Sequence, residues 1–196
     1  MPPLKGLILA GGASMRMHSD KAALQYGGST QLERVFNLAR EHCEACYVSV
    51  RPDQANDPVR KPYPLIVDQV PGEGPIVGIR SAFLTHPSAA WLVLACDLPF
   101  LSGAALKTLK AERDASRMAT AYLSAHDGKP EPLAAIWEPA AAAALAAYAK
   151  DGGHCPRKFL MRHEVKVLSA ADDRALDNVN TPEEYAEARA VLKAAP

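Results

Sequence analysis

The strongest constraint on the fold is an alternation: short apolar runs bounded by turn residues are separated by stretches whose apolar residues recur at helical spacing. Residues 7–10, 47–50, 65–67 and 91–95 are predicted strands, apolar along their whole length, as strands of a parallel sheet covered on both faces are. Thr30 and Glu33 form a capping-box pattern ahead of Leu32, Val35, Phe36 and Ala39, which predicts a helix running to about His42. Ile76, Ile79 and Phe83 repeat the stripe, and Ser102 is placed to cap a helix carrying Leu106 and Leu109. The order so far is βαββαβα. Residues 118–123 and 133–137 then read as two strands around Asp127-Gly128. The alanine-rich stretch after Pro139 reads as a helix ended by Gly152-Gly153, Pro156 as the start of a short helix, residues 165–168 as a strand, and Thr181-Pro182-Glu183-Glu184 as the start of a capped helix with Tyr185, Ala188 and Leu192 inward. The expected fold is α/β, a Rossmann-like three-layer sandwich with a mostly parallel sheet and helices on both faces, organised as a single domain over residues 1–196.

Apolar residues make up 48% of the chain and charged residues 22%, a composition that buries a core. Lysine plus arginine equals aspartate plus glutamate, 22 against 22, so no broad field draws the chain to nucleic acid or anionic lipid, and neither is expected as a partner. The opening apolar run, residues 7–10, is too short for a signal peptide or a membrane span, and the expected location is the cytoplasm. Cys43 and Cys46 form a C-x-x-C without a second ligand pair, and are read as two small, half-buried thiols.

Chemistry concentrates after the first strand, in Leu7-Ile8-Leu9-Ala10-Gly11-Gly12-Ala13-Ser14-Met15-Arg16-Met17-His18-Ser19-Asp20-Lys21. Two glycines let the backbone approach a ligand and turn its N–H groups toward an anion, and Arg16 and Lys21 add positive charge. This is a phosphate cradle, yet it is neither G-x-x-x-x-G-K-[ST] nor G-x-G-x-x-G. Asp97 follows the strand of residues 91–95 at its carboxyl end, where open α/β sheets bind ligands, and one carboxylate beside phosphates suits magnesium. Gly74, Pro75 and Gly78 open a helix after the 65–67 strand. Asn178 and Asn180 precede the last helix, with Thr181 already in the capping position, so Asn180 is either a second cap or a ligand contact. The remaining histidines, His42, His86, His126, His154 and His163, show no metal-binding spacing and are expected on the surface or at caps.

L-A-G-G-x-S-x-R-M-x-x-D-K resembles the signature of the molybdenum cofactor guanylyltransferases and their neighbours, the cytidylyl enzymes of the same cofactor and the sugar-phosphate nucleotidyltransferases. Asp68 through Gly72-Glu73-Gly74-Pro75-Ile76-Val77-Gly78-Ile79, Cys96-Asp97-Leu98-Pro99-Phe100 and Asn178-Val179-Asn180-Thr181-Pro182-Glu183-Glu184 are similar to three further segments of that family, in order. His18 departs from it, standing where the family has glycine. The resemblance implies GMP transfer from GTP to the phosphate of molybdopterin. It assigns nucleotide binding to Leu9, Ala10, Gly11, Gly12, Lys21, Asp68, Gly74, Gly78 and Asp97, catalysis to Arg16, Lys21 and Asp97, magnesium to Asp97, and the acceptor to Asn178 and Asn180. Asp177 is a weaker candidate for a second metal carboxylate. The implied partners are GTP and molybdopterin, with transient contact to molybdoenzymes or their chaperones. Gly-Gly rather than Ala-Gly in the loop points to GTP over CTP. A cytidylyl or sugar-1-phosphate enzyme remains open, as does a non-catalytic carrier of molybdopterin or nucleotide. A dinucleotide-binding oxidoreductase around Gly72 to Gly78 ranks last, because the glycine spacing is wrong and no acidic ribose residue is evident.

Overall fold

In the computed structural model, which describes residues 1–12, 20–170, 172 and 174–194, the apolar runs become one seven-stranded sheet. Its strands are β1 (Leu4–Leu9), β4 (Ala45–Val50), β5 (Leu65–Val67), β6 (Ala90–Ala95), β7 (Ala119–Leu123), β8 (Pro130–Trp137) and β9 (Val165–Ser169). They lie in the order β5-β4-β1-β6-β8-β7-β9. β5, β4, β1 and β6 pair in parallel; β8 runs antiparallel to both β6 and β7, which returns β7 and β9 to the common direction. A small antiparallel ribbon, β2 (Gln25–Tyr26) with β3 (Ser29–Thr30), stands apart from this sheet. The sequence reading missed it, because two-residue strands carry no periodicity.

β6 is buried at every position, which is why its sequence, AWLVLA, shows no polar alternation. β8 starts earlier than its apolar pattern, at Pro130. Prolines lack the N–H a ladder needs, but Pro130 and Pro132 precede the residues that pair with β6, Ala134 to Trp137.

The helices are α1 (Gln31–Arg40), α2 (Pro75–Thr85), α3 (Gly103–Ala111), α4 (Ala141–Lys150), α5 (Pro156–Leu160) and α6 (Pro182–Ala194). Their starts follow the capping chemistry. The hydroxyl of Thr30 accepts from Glu33 N, that of Ser102 from Ala105 N, and Pro75 takes the first helical position of α2. Leu32, Val35 and Phe36 of α1 share one apolar layer with Leu106 and Leu109 of α3 and with Ile8, Val48 and Leu94 of the sheet. Ile76, Ile79 and Phe83 of α2 join Leu145 of α4 and Phe159 of α5 over the other face, against Leu7, Trp91 and Trp137. Helices therefore cover both faces, as the sequence predicts.

α2 comes unusually close to the sheet. A Cβ on Gly78 would lie 2.3 Å from Ser49 Oγ and 2.9 Å from Leu9 Cδ2, so only glycine fits. α6 rests outside the two main layers, on the β2–β3 ribbon, through Tyr26, Val179 and Ala188. Cys43 and Cys46 are free thiols, and the Cys46 sulfur occupies the space above Gly6. No helix among the described residues is long and apolar enough to cross a membrane.

Candidate active site

Parallel strands present their carboxyl ends together, and the turns that follow β1, β4, β5 and β6 enclose a cleft of about 550 Å³. Leu9, Ala10, Gly11 and Gly12 enter it from β1, Asp68 follows β5, Gly74 and Gly78 begin α2, and Asp97 follows β6. Every residue read for the nucleotide lines this one cleft. Arg16 and His18 lie outside the described residues.

Lys21 is the meeting point. Its ammonium donates to Asp97 Oδ2 at 2.8 Å and to Asn180 Oδ1 at 2.6 Å, joining groups 76 and 159 residues away along the chain. Its side chain is 19% exposed and that of Asp97 22%, so the pair borders the cleft without being sealed from it. Val179 N donates to the Asp97 carbonyl at 3.0 Å, which stitches the segment before α6 to the end of β6.

Asn180 does not cap α6 with its side chain. Thr181 Oγ1 accepts from Glu184 N, while the Glu184 carboxylate accepts from the backbone N–H groups of Thr181 and Asn180, a reciprocal box that leaves the Asn180 amide to Lys21. Asn178 is exposed and does not line the cleft. Asp177 pairs with His126 at 3.0 Å and with Arg174 at 3.6 Å. Among the described residues no group of three or more His, Cys, Asp or Glu side chains could hold a metal ion.

Two carboxylates of the cleft are tuned in opposite directions. Burial would raise the pKa of Asp20, but the hydrogen bonds from Arg60 and from Ala22 N–H, with the charge of Arg60, outweigh it and hold the carboxyl below its ordinary value. Burial does raise the pKa of Asp68, against the nearby Arg51 charge and a hydrogen bond from Ser49. Asp68 lines the cleft, and its Oδ1 is buried without a hydrogen-bond partner among the described residues.

The sequence reading quoted Asp20 within the loop signature without giving it a role, and missed Arg51 and Arg60. Arg51 donates to the Gly11 carbonyl, and Arg60, 2% exposed, donates to the Ala10 carbonyl and to Asp20. Asp20 carried a faint signal, as an aspartate where a short helical turn begins; its Oδ1 accepts from Ala22 N. The two arginines carried none, since they fall in a polar connection with no periodicity.

The glycines divide by role. A Cβ on Gly12 would meet none of the described residues within 4 Å, whereas Gly78 is required by packing although it too borders the cleft. Gly74, at φ 77°, is the backbone corner that starts α2.

Among relatives, the molybdenum cofactor guanylyltransferase of Rhizobium johnstonii is 33% identical over 205 residues, covering 97% of this chain and 94% of that protein. The molybdenum cofactor biosynthesis bifunctional protein of Synechocystis sp. is 32% identical over 185 residues, and the chain spans about half of it: 94% of this chain matches 53% of that protein. Among solved structures, molybdopterin-guanine dinucleotide biosynthesis protein A from Archaeoglobus fulgidus has a TM-score of 0.81 at 23% identity, covering 97% of this chain and 100% of that one, a likeness of fold. The model of the MobA-like NTP transferase domain matches residues 6–167, a span that takes in the entire lining of the cleft while Asn178 and Asn180 lie beyond it. On that match the chain belongs to the MobA-like NTP transferase family.

Proposed function

We propose that the protein transfers GMP from GTP to the phosphate of molybdopterin, releasing pyrophosphate. The observation that carries this reading is the Lys21–Asp97–Asn180 contact, which joins the phosphate loop, the end of β6 and the segment before α6 at the rim of the nucleotide cleft.

The acceptor is a phosphate monoester whose second pKa is about 6, so it is already a dianionic nucleophile at neutral pH and needs no base. The protein's work is alignment and charge. Gly11 and Gly12 offer backbone donors to the phosphates, and Lys21, with Arg16, neutralises charge as it spreads toward pyrophosphate. Asn180, held to Lys21, is within reach of the acceptor side, and Asn178 is assigned there with it. Displacement is direct, with no covalent enzyme intermediate.

Asp97 fits a hard divalent cation: it is a single partly exposed carboxylate at a phosphate site, and magnesium takes one or two carboxylates and fills its remaining positions with phosphate oxygens and water. Magnesium bound there would supply charge neutralisation on the phosphates. Asp177 does not line the cleft and is not assigned to it.

Two observations favour GTP over CTP. A Cβ on Gly12 would meet none of the described residues within 4 Å, and the carboxylate of Asp68, which lines the cleft, suits guanine, whose N1–H and amino group are adjacent donors. Cytosine presents one amino donor next to an acceptor. The proposal includes a cytoplasmic location, where nucleoside triphosphates are available, a one-domain organisation over residues 1–196, and transient hand-over of product to molybdoenzymes or their chaperones.

The test is to incubate the protein with magnesium, molybdopterin and each nucleoside triphosphate, and identify the dinucleotide by mass spectrometry. The guanine dinucleotide with pyrophosphate is expected. A cytosine product would reassign the nucleotide, and binding of both substrates without pyrophosphate release would make the protein a carrier. Asp97→Ala should remain folded and lose turnover, since a partly exposed strand-end carboxylate contributes little to the core.

A further inference from the structure

Arg60 lies in the connection between β4 and β5, outside every motif read from the sequence. Its guanidinium uses nearly all its donors. Nε donates to the Ala10 carbonyl at 2.9 Å, Nη1 and Nη2 to the two Asp20 carboxylate oxygens at 2.6 and 2.8 Å, and Nη1 also to Asp57 Oδ1 at 3.0 Å. Ala10 leads into the phosphate loop and Asp20 leads out of it, immediately before Lys21. One buried side chain therefore ties together the two described ends of the loop.

Arg51, from the same connection, donates to the next carbonyl, that of Gly11. The peptides here are trans, so each N–H points away from the carbonyl of its own peptide. Fixing the carbonyls of Ala10 and Gly11 thus fixes the direction of the Gly11 and Gly12 N–H groups.

Burying a guanidinium is costly unless its donors are met, and a charge spent on the core alone would bond elements that are already paired. Arg60 instead bonds loop backbone and the residue that precedes Lys21. We propose that Arg60 is the positioning residue of the phosphate loop, holding the Ala10–Gly11 peptide and the Asp20–Lys21 corner in one arrangement before a nucleoside triphosphate arrives. This rests on reading the cleft as a nucleoside triphosphate site. Arg60 acts through the backbone and Asp20 and touches no reacting atom.

The consequence is a dependence on phosphate number. A residue that shapes the phosphate-binding backbone affects GTP far more than GMP, whereas one that merely supports the fold affects both alike or neither. Calorimetry with magnesium-GTP and with GMP, on the wild type, Arg60→Lys and Asp20→Asn, reads this directly, with thermal melts identifying the folded variants. Lysine keeps the charge but loses the fork, so Arg60→Lys should weaken GTP by about tenfold or more while changing GMP by no more than about twofold.

Asp20→Asn separates shape from charge. Removing a carboxylate beside a phosphate site strengthens GTP binding if only charge matters, and weakens it several-fold if Asp20 anchors Arg60. Equal losses for GTP and GMP, unchanged GTP affinity in folded Arg60→Lys, or tighter GTP binding by Asp20→Asn would each overturn the proposal. Should Arg60→Lys fail to fold, Asp20→Asn decides alone, its aspartate being 36% exposed and tolerant of replacement. A wild type that prefers CTP overturns the guanine assignment instead, and the Arg60 test then runs with CTP and CMP. A wild type that binds no nucleoside triphosphate overturns the reading of the cleft and this proposal with it.

Discussion

Arg60 and Arg113 are both buried and both make a forked pair with a carboxylate, but they stand at opposite ends of the sheet. Arg113 is 6% exposed and its partner Glu138 1%; Nε and Nη2 donate to the two Glu138 oxygens at 2.6 and 2.9 Å, and Nη1 to the Pro2 carbonyl at 3.1 Å. Everything Arg113 touches is already fixed nearby: Glu138 follows β8 directly and its N–H donates to the Met118 carbonyl, and Pro2 stands just ahead of β1. Arg60 holds a loop entry, at Ala10, and a loop exit, at Asp20, whose carboxylate is itself partly exposed. The same chemistry closes the base of the sheet in one place and ties two ends of a cleft loop in the other. What separates structural from functional burial is the independence of the groups being held.

The largest effect that would test this contrast is at the base. Arg113→Ala leaves Glu138 charged and unpaired in the interior, and should cost about 3–5 kcal/mol in urea denaturation. The relative affinity for GTP and GMP should not move. A change in that ratio would mean that both arginines act on the cleft and that the contrast is false.

Next is Lys21→Ala, expected to lower kcat by about a hundredfold, the loss of one preorganised electrostatic contact, with little change in Tm because the side chain is partly exposed. A large fall in Tm with unaltered turnover would move Lys21 into the same class as Arg113. Smaller again is Asn180→Ala. Its KM for molybdopterin should rise about fivefold to tenfold while GTP affinity holds, the pattern of a contact with one substrate. An earlier melt with normal kinetics would make Asn180 a strut between α6 and Lys21.

The smallest effect concerns acid stability. Asp20 has a folded pKa below its ordinary 3.8, so its contribution is complete above that value and is lost as pH falls through the depressed one. Asp68 has a raised pKa, so its contribution is present below 3.8 and disappears as pH rises through the raised value. Asp20→Asn should therefore flatten the acid limb of a stability curve and Asp68→Asn steepen it. The same sign for both substitutions would contradict the environments described for the two carboxylates.

Legibility in the sequence followed locality. Thr30, Ser102 and Pro75 announced their helices because a cap acts within one turn, and β6 announced itself because a strand covered on both faces has no polar residue to interrupt it. The glycines, Lys21 and Asp97 stood out because charge and flexibility cluster at strand ends. Arg60 left no trace: the loop groups it holds lie 40 and 50 residues away, and its near partner, Asp57, makes the i,i+3 pair that a solvated arginine also makes. The β2–β3 ribbon escaped for a similar reason, its place being set by contact with α6.

The Lys21–Asn180 bond spans 159 residues. During synthesis the loop, the central strands and Asp97 leave the ribosome well before Asn180 does, while the face of the ribbon that packs on α6 stays uncovered until that helix is present. Closing so long a loop is slow compared with forming local helices, so this corner should be among the last to assemble. On the proposed function, a nascent chain in this state has its nucleotide cleft but lacks the Asn180 contact at Lys21. Full affinity for the acceptor would then arrive only when α6 docks.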